Sequence, residues 1–136
     1  MELLKCINLN KEFGNKKILQ DINLTIPRGK IIGLLGKNGT GKSTLLKLIN
    51  DLLTPTTGQI LVNGKEVGIE SKKIISYLPE RTYLDKSMTV EKTIRYFEEF
   101  YDNFDSEKAR KLLGDLELDT TKNYLKWVKV CKKKYN

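Results

Sequence analysis

A glycine-rich segment at residues 36–43 limits this chain to a small set of folds. It reads Gly-Lys-Asn-Gly-Thr-Gly-Lys-Ser and fits the pattern G-x-x-x-x-G-K-[ST] at every required position. An apolar run at 31–35 enters it, and residues 44–53 follow it with apolar side chains at helical spacing. Glycines let consecutive backbone N–H groups point at phosphate oxygens, and the N-terminus of the next helix adds a positive dipole end. The segment therefore predicts a phosphate-binding loop between a buried strand and a helix.

Two side chains at the end of this loop have expected roles. Lys42 would reach the β- and γ-phosphates of a nucleotide, and the hydroxyl of Ser43 would coordinate Mg²⁺. The alternative is a glycine-rich turn with a solvated lysine, but a chance match rarely has a strand before it and a helix after it. A Rossmann dinucleotide loop is excluded because the glycines do not follow G-x-G-x-x-G.

Strand and helix patterns predict an α/β organisation for the whole chain. The predicted strands are 2–9, 18–26, 31–35, 59–62 and 74–78. The predicted helices are 44–53, one capped by Thr89 that runs through Tyr101, and one capped by Asp105 or Ser106 that runs to about Leu116. Gly14 and Asn15 supply turn chemistry between the first two strands, which predicts an antiparallel hairpin at the N-terminus.

The composition is typical of a globular domain. A length of 136 residues allows one domain, and 39% hydrophobic with 31% charged residues excludes a disordered or membrane-spanning chain. The N-terminus is too polar for a signal peptide. Two cysteines and no histidine argue against a disulfide framework and against a His/Cys zinc site. A cytoplasmic location is therefore expected.

The positive charge of the chain is concentrated near its end. The net charge is +8, and residues 122–136 hold six lysines and no acid. The first 121 residues are therefore nearly balanced, which argues against a nucleic-acid-binding role for the whole protein. We predict a domain at 1–121 and a basic tail at 122–136.

The loop and its surroundings resemble the ATP-binding cassette (ABC) ATPases. The resemblance begins with residues 36–44, continues through 45–58 and Asn63-Gly64, and includes Ile75-Ser-Tyr-Leu-Pro-Glu80. It covers residues 1 to about 119. Tyr77-Leu-Pro-Glu80 and the following helix, Met88 to Tyr101, look most like ATPase subunits of ABC-2-type exporters. The resemblance implies an α/β fold of the P-loop NTPase class, of ABC type, with an N-terminal antiparallel β subdomain and a partial helical subdomain.

The same resemblance implies a set of site residues for the cofactors ATP and Mg²⁺. Phe13 lies where the family has an aromatic residue, usually Tyr, that stacks on adenine; the alternative is a hairpin residue packed on its own sheet. Glu80 lies where the family usually has a Gln that contacts Mg²⁺; the alternative is a solvated loop acid. The implied ATP-binding residues are Phe13, Gly36, Lys37, Asn38, Gly39, Thr40, Gly41, Lys42, Ser43 and Thr44. The implied metal ligands are Ser43 and Glu80.

The function implied by the resemblance is that of the ATP-binding subunit of an ABC transporter. Intact members couple ATP binding and hydrolysis to transport, work with a membrane subunit, form dimers of ATPase subunits and sit on the inner face of the membrane. Tyr83, Leu84 and Met88 would belong to a surface that docks on the membrane subunit, or to ordinary core packing. Three alternatives stay open: a non-catalytic truncated fragment, a non-transport ABC ATPase, and a nucleotide-binding module with a basic tail for nucleic acid or anionic membrane.

Three motifs of the ABC family are missing from the sequence. It contains no apolar strand ending in Asp-Glu, no Leu-Ser-Gly-Gly-Gln signature and no histidine. We therefore interpret residues 1–121 as the N-terminal part of an ABC-type nucleotide-binding domain. For residues 122–136 we hypothesise a frameshift, since reading one base earlier allows Met-Gly-Lys-Gly-Met-Gln, close to a signature, from Lys126 onward. A genuine basic amphipathic end, with Tyr124 and Val128 on its apolar face, is the alternative.

These observations predict that the 136-residue chain binds Mg-ATP weakly and does not hydrolyse it by itself. The expectation follows from the missing acids, since a P-loop ATPase needs an acidic residue at the end of an apolar strand to hold Mg²⁺ and must also activate a water. Phosphate release should match a protein-free control. Turnover that disappears in Lys42→Ala would contradict this prediction.

Overall fold

A computed structural model describes residues 2–79, 85 and 87–123 of the chain. The chain divides into two compact units, residues 1–78 and 79–136.

The first unit begins with a long antiparallel hairpin. Strand β1 (Glu2–Phe13) pairs with strand β2 (Lys16–Pro27), and the turn between them contains Gly14 at φ 57°. The predicted hairpin is therefore confirmed. Both strands are longer than predicted, because the polar residues at 10–12 continue to pair through their backbone although their side chains lack an apolar pattern.

Two further strands complete the sheet. Strand β3 (Thr57–Val62) pairs with β1, and the short strand β4 (Lys65–Glu66) pairs with β3, so the order is β2-β1-β3-β4. Asn63 and Gly64, at φ 52° and 77°, form the two-residue connection that such tight hairpins require. Every strand pair in this sheet is antiparallel.

Helix α1 (Lys42–Ile49) packs its apolar residues into the core formed with this sheet. The buried core side chains are Leu4, Cys6, Leu9, Leu19, Leu45, Leu48, Ile60 and Val62. Leu45 and Leu48 lie three residues apart on one face of the helix, as the helical spacing predicts. Burial also raises the pKa of the Cys6 thiol.

An irregularity in β1 sets which side chains enter this core. Leu4 and Cys6 follow the two-residue period of a strand, but the next buried residue is Leu9, three positions later. The register shifts between Cys6 and Leu9, and Asn8 has φ 44°. This bulge turns Leu9 inward, and Asn8 donates its backbone N–H to the Asn23 side chain at 2.9 Å.

Two predicted strands are absent from the structure. Residues 31–35 and 74–78 have no strand geometry, and no described strand pairs with either of them. Ile31 is fully exposed and the exposed fraction of Leu35 is 93%. The predictions were wrong for these segments because an apolar run becomes a strand only where a neighbouring backbone completes its hydrogen bonds. Helix α2 (Ile69–Lys72) lies between them in the chain.

The second unit contains two helices with the predicted caps. Helix α3 (Val90–Phe100) begins after Thr89, and helix α4 (Ser106–Asp115) begins after Asp105. Each cap side chain accepts a backbone N–H three residues on, as N-caps do. Across the two helices Arg110 donates to Glu91 at 2.8 Å, and this hydrogen bond lowers the pKa of the Glu91 carboxyl.

None of the described helices is long and apolar enough to cross a bilayer.

We predict that Gly58→Ala destabilises the first unit by about 3 kcal/mol or more. Gly58 has φ 88°, and a Cβ at this position would lie 2.3 Å from the carbonyl oxygen of Asn8, which belongs to the bulge. The cost should appear as a lower midpoint in urea denaturation.

Gly64→Ala is the matched control. Gly64 has φ 77° and open space around it, so alanine adds left-handed strain of only about 1 kcal/mol. Equal losses for the two variants would contradict the close approach of Gly58 to β1.

Candidate nucleotide-binding site

The phosphate-loop segment ends where helix α1 begins. Gly39 and Gly41 have φ 81° and 93°, the left-handed conformation that glycine adopts without strain. Gly41 is the N-cap of α1, and its carbonyl accepts the backbone N–H of Leu45 at 2.9 Å. Residues 36–40 are exposed to solvent. The free N–H groups of the first turn of α1 therefore follow directly on an exposed loop, as an anion site requires.

The side chain of Lys42 folds back over this loop. Its Nζ donates to the carbonyl oxygens of Gly36 at 2.5 Å and Lys37 at 2.7 Å. Thr40 Oγ1 donates to the same Lys37 oxygen at 2.8 Å and lies 3.5 Å from Nζ. The loop is thus closed into a ring around a lysine ammonium, which holds the positive charge inside the curl of the backbone.

At two glycines of the loop, neighbouring atoms leave no room for a side chain. A Cβ on Gly36 would lie 2.9 Å from Thr40 Oγ1, inside the closed ring. A Cβ on Gly41 would lie 2.8 Å from the Leu19 side chain and 3.1 Å from the Ile18 carbonyl oxygen, both on β2. The loop therefore rests directly against the hairpin, and only glycine permits this approach.

Ser43, the predicted metal ligand that lies within the described residues, is also at the start of α1. Ser43 is exposed in the first turn, and Thr44 beside it is half-buried. Among the residues that the structure describes, no group of three or more His, Cys, Asp or Glu side chains is placed to hold a metal ion. Coordination of Mg²⁺ by Ser43 stays a prediction.

Phe13 lies at the turn end of β1, opposite Lys16 of β2. The residue is 47% exposed, and Lys11 Nζ lies 4.9 Å from the ring centroid. Lys16 is three residues along β2 from Leu19, which Gly41 contacts, so the two positions are about 10 Å apart along the strand. The first unit thus places an exposed aromatic ring on the hairpin against which the phosphate loop rests.

Some residues on which the predictions rest lie outside the residues that the structure describes. These are Glu80, Tyr83, Leu84, Lys126, Tyr124 and Val128. Met88 is described and half-buried. Lys11, which contacts Phe13, was not among the predicted site residues. The two-residue period of β1 was a signal for it, since residues 11 and 13 of one strand face the same side.

A family model described as ABC transporter matches residues 19–132. The ABC transporter ATP-binding protein YtrB of Bacillus subtilis (strain 168) is 32% identical over 124 residues, which are 90% of this chain and 42% of YtrB. The sulfate/thiosulfate import ATP-binding protein CysA of Synechocystis sp. is 41% identical over 92 residues, which are 65% of this chain and 26% of CysA.

A solved structure of the ATP-binding subunit of an ABC transporter has a TM-score of 0.76 and 29% identity. The alignment covers 89% of this chain and 54% of that one, and it confirms the predicted ABC ATPase fold. The chain therefore spans about half of that structure and less than half of YtrB.

The matches also bear on two finer predictions. The family match includes residues 122–132, so it runs into the segment predicted as a basic tail. One relative is named for import, so the matches do not favour the ABC-2-type exporters over other branches.

The family match spans most of the sequence and contains the entire phosphate-loop segment. This chain therefore belongs to the ABC transporter family of ATP-binding proteins.

Proposed function

We propose that this chain binds the triphosphate of ATP in the loop of residues 36–44 and serves as an ATP-binding subunit of an ABC transporter. The observation that carries the proposal is the position of Lys42, whose ammonium lies inside the curl of an exposed loop at the N-terminus of α1. Positive charge, free N–H groups and a helix dipole converge there, and phosphate is the ligand for which they are suited.

Binding would exchange one set of hydrogen bonds for a stronger set. Lys42 Nζ now donates to the neutral carbonyls of Gly36 and Lys37. These bonds are already charge-assisted through the ammonium, but phosphate oxygens add a negative charge on the acceptor, so the same donor also gains the attraction of an ion pair. The loop can therefore release the lysine to the β- and γ-phosphates at little cost, and the exposed Ser43 hydroxyl would supply an oxygen to Mg²⁺. Glu80 is the second proposed ligand of Mg²⁺.

The adenine base is proposed to stack on Phe13. The ring is half-exposed at the turn end of the hairpin, and the adjoining β2 positions contact Gly41. An adenine and a triphosphate are separated by a ribose, so a site for the base about 10 Å along the strand from the loop is of a suitable scale. Phe lacks the hydroxyl of the Tyr usual in this family but keeps the flat face that stacks on a purine.

The cellular role follows from the family. We propose that the protein contributes ATP binding to a transporter that works as those of intact family members do. In those, two ATPase subunits pair, dock on a membrane subunit at the inner face of the membrane, and couple ATP binding and hydrolysis to transport. CysA is named for the import of sulfate and thiosulfate. The transported substrate of the present protein is a property of the membrane partner, and no residue described above selects it.

We predict that Lys42→Ala weakens binding of Mg-ATP at least about tenfold, because it removes a charged hydrogen bond to the phosphates. Isothermal titration calorimetry on the 136-residue chain measures the effect. Lys47→Ala removes the same charge from an exposed position on the same helix and is the control. Equal affinity for wild type and Lys42→Ala would overturn the proposed site.

We further predict that Thr40→Val weakens Mg-ATP binding about fivefold. Valine keeps the shape of threonine but loses the hydroxyl that donates to the Lys37 carbonyl and closes the loop. Thr40→Ser retains the hydroxyl and should bind like the wild type. A serine variant as weak as the valine variant would show that the methyl group, not the hydrogen bond, matters.

A further inference from the structure

The turn end of β1 is fastened to the segment that follows helix α1. Thr56 donates its backbone N–H to the Asn10 carbonyl at 2.9 Å, and its hydroxyl accepts the backbone N–H of Glu12 at 2.9 Å. Lys11 Nζ donates to the Thr54 carbonyl at 2.7 Å. These three hydrogen bonds, between residues 10–12 and 54–56, are called the β1 clamp. The first two use the backbone of β1, whereas the third uses a charged side chain.

Lys11 has a second contact, with the ring of Phe13. Its ammonium lies 4.9 Å from the ring centroid, within the distance at which a cation is attracted to the face of an aromatic ring. The same ammonium donates to the Thr54 carbonyl, so the position of the lysine charge is fixed independently of the ring. The Phe13 ring therefore packs against a fixed charge. One face of Phe13 is covered in this way, while 47% of the residue remains exposed.

We infer that Lys11 is a positioning residue for the nucleotide base: it fixes the Phe13 ring in one orientation and leaves the opposite face for the base to stack on. This inference rests on the proposed function, in which Phe13 binds adenine. A ring fixed before the ligand arrives loses less rotational freedom on binding, so the base binds more tightly. A cation on one face also draws π-electron density from the ring, which favours an electron-rich purine on the other face.

The test compares Mg-ATP with Mg-tripolyphosphate, which carries the phosphates and no base. Lys11→Met keeps the aliphatic stem but removes the charge and the hydrogen bond to Thr54. We expect it to bind Mg-ATP about fivefold more weakly and tripolyphosphate unchanged. Lys11→Arg keeps a cation and a donor and should restore most of the ATP affinity. Lys65→Met, on β4 at the opposite edge of the sheet from β2, controls for the loss of one charge.

A double-mutant cycle with Phe13→Ala completes the test. If Lys11 acts through the ring, Lys11→Met has no further effect on ATP affinity in the Phe13→Ala background. A merely structural role would instead lower the affinity for both ligands and would persist in that background.

Three results would overturn the inference. The first is wild-type ATP affinity in Lys11→Met while Phe13→Ala binds weakly. The second is an equal loss for ATP and tripolyphosphate in Lys11→Met, which would place the lysine charge on the phosphates. The third is unchanged ATP affinity in Phe13→Ala, which removes the base contact. If Lys42→Ala also bound both ligands like the wild type, the phosphate site itself would have failed.

Discussion

Leu48, on the inner face of helix α1, is completely buried against the antiparallel sheet. The positions of the phosphate loop and of the clamped end of β1 depend on this packing. Burying a leucine of this kind contributes about 2 kcal/mol, and Leu45 adds to it from the same helix face. With the helix fixed on the sheet, its N-terminus must meet β2, and Gly41 makes that approach possible. The phosphate loop therefore takes its place from hydrophobic packing below it, while its own residues remain exposed and available to a ligand.

The same helix connects the two halves of the proposed ATP site. Its N-terminal end carries the loop with Lys42, and the segment after its C-terminal end is fastened to β1 by the β1 clamp. Phe13 is one residue beyond the clamped part of β1. The proposed phosphate contacts are therefore attached to the N-terminal end of this helix, and the proposed base contact is attached to the segment that follows its C-terminal end. This arrangement suits a ligand whose base and phosphates are joined by a ribose.

Prediction from the pattern succeeded where an element depends on local chemistry. The caps at Thr89 and Asp105 and the turn at Gly14 were predicted because each depends on residues within three or four positions. It failed where the partner backbone decides the outcome. The apolar run 31–35 has the composition of a buried strand, yet no described strand pairs with it. The bulge at Asn8 was also missed, because its cause is the distant carboxamide of Asn23 and the close approach of Gly58.

The spacing of glycines, a lysine and a hydroxyl at residues 36–43 was sufficient to predict a phosphate loop. The longer resemblance, over residues 1 to about 119, was sufficient to indicate the ABC family. Turn chemistry at Gly14 and Asn15 was sufficient to predict the hairpin, and apolar side chains at helical spacing predicted the helix after the loop. The folded chain alone revealed that Lys42 closes the loop on its own carbonyls, that Gly41 rests on β2, and that Lys11 joins Phe13 to Thr54. The contacts of Gly41 with β2 and of Lys11 with Thr54 connect residues that are up to 43 positions apart, and no local spacing encodes them. They arise because burial of the core brings those backbones together.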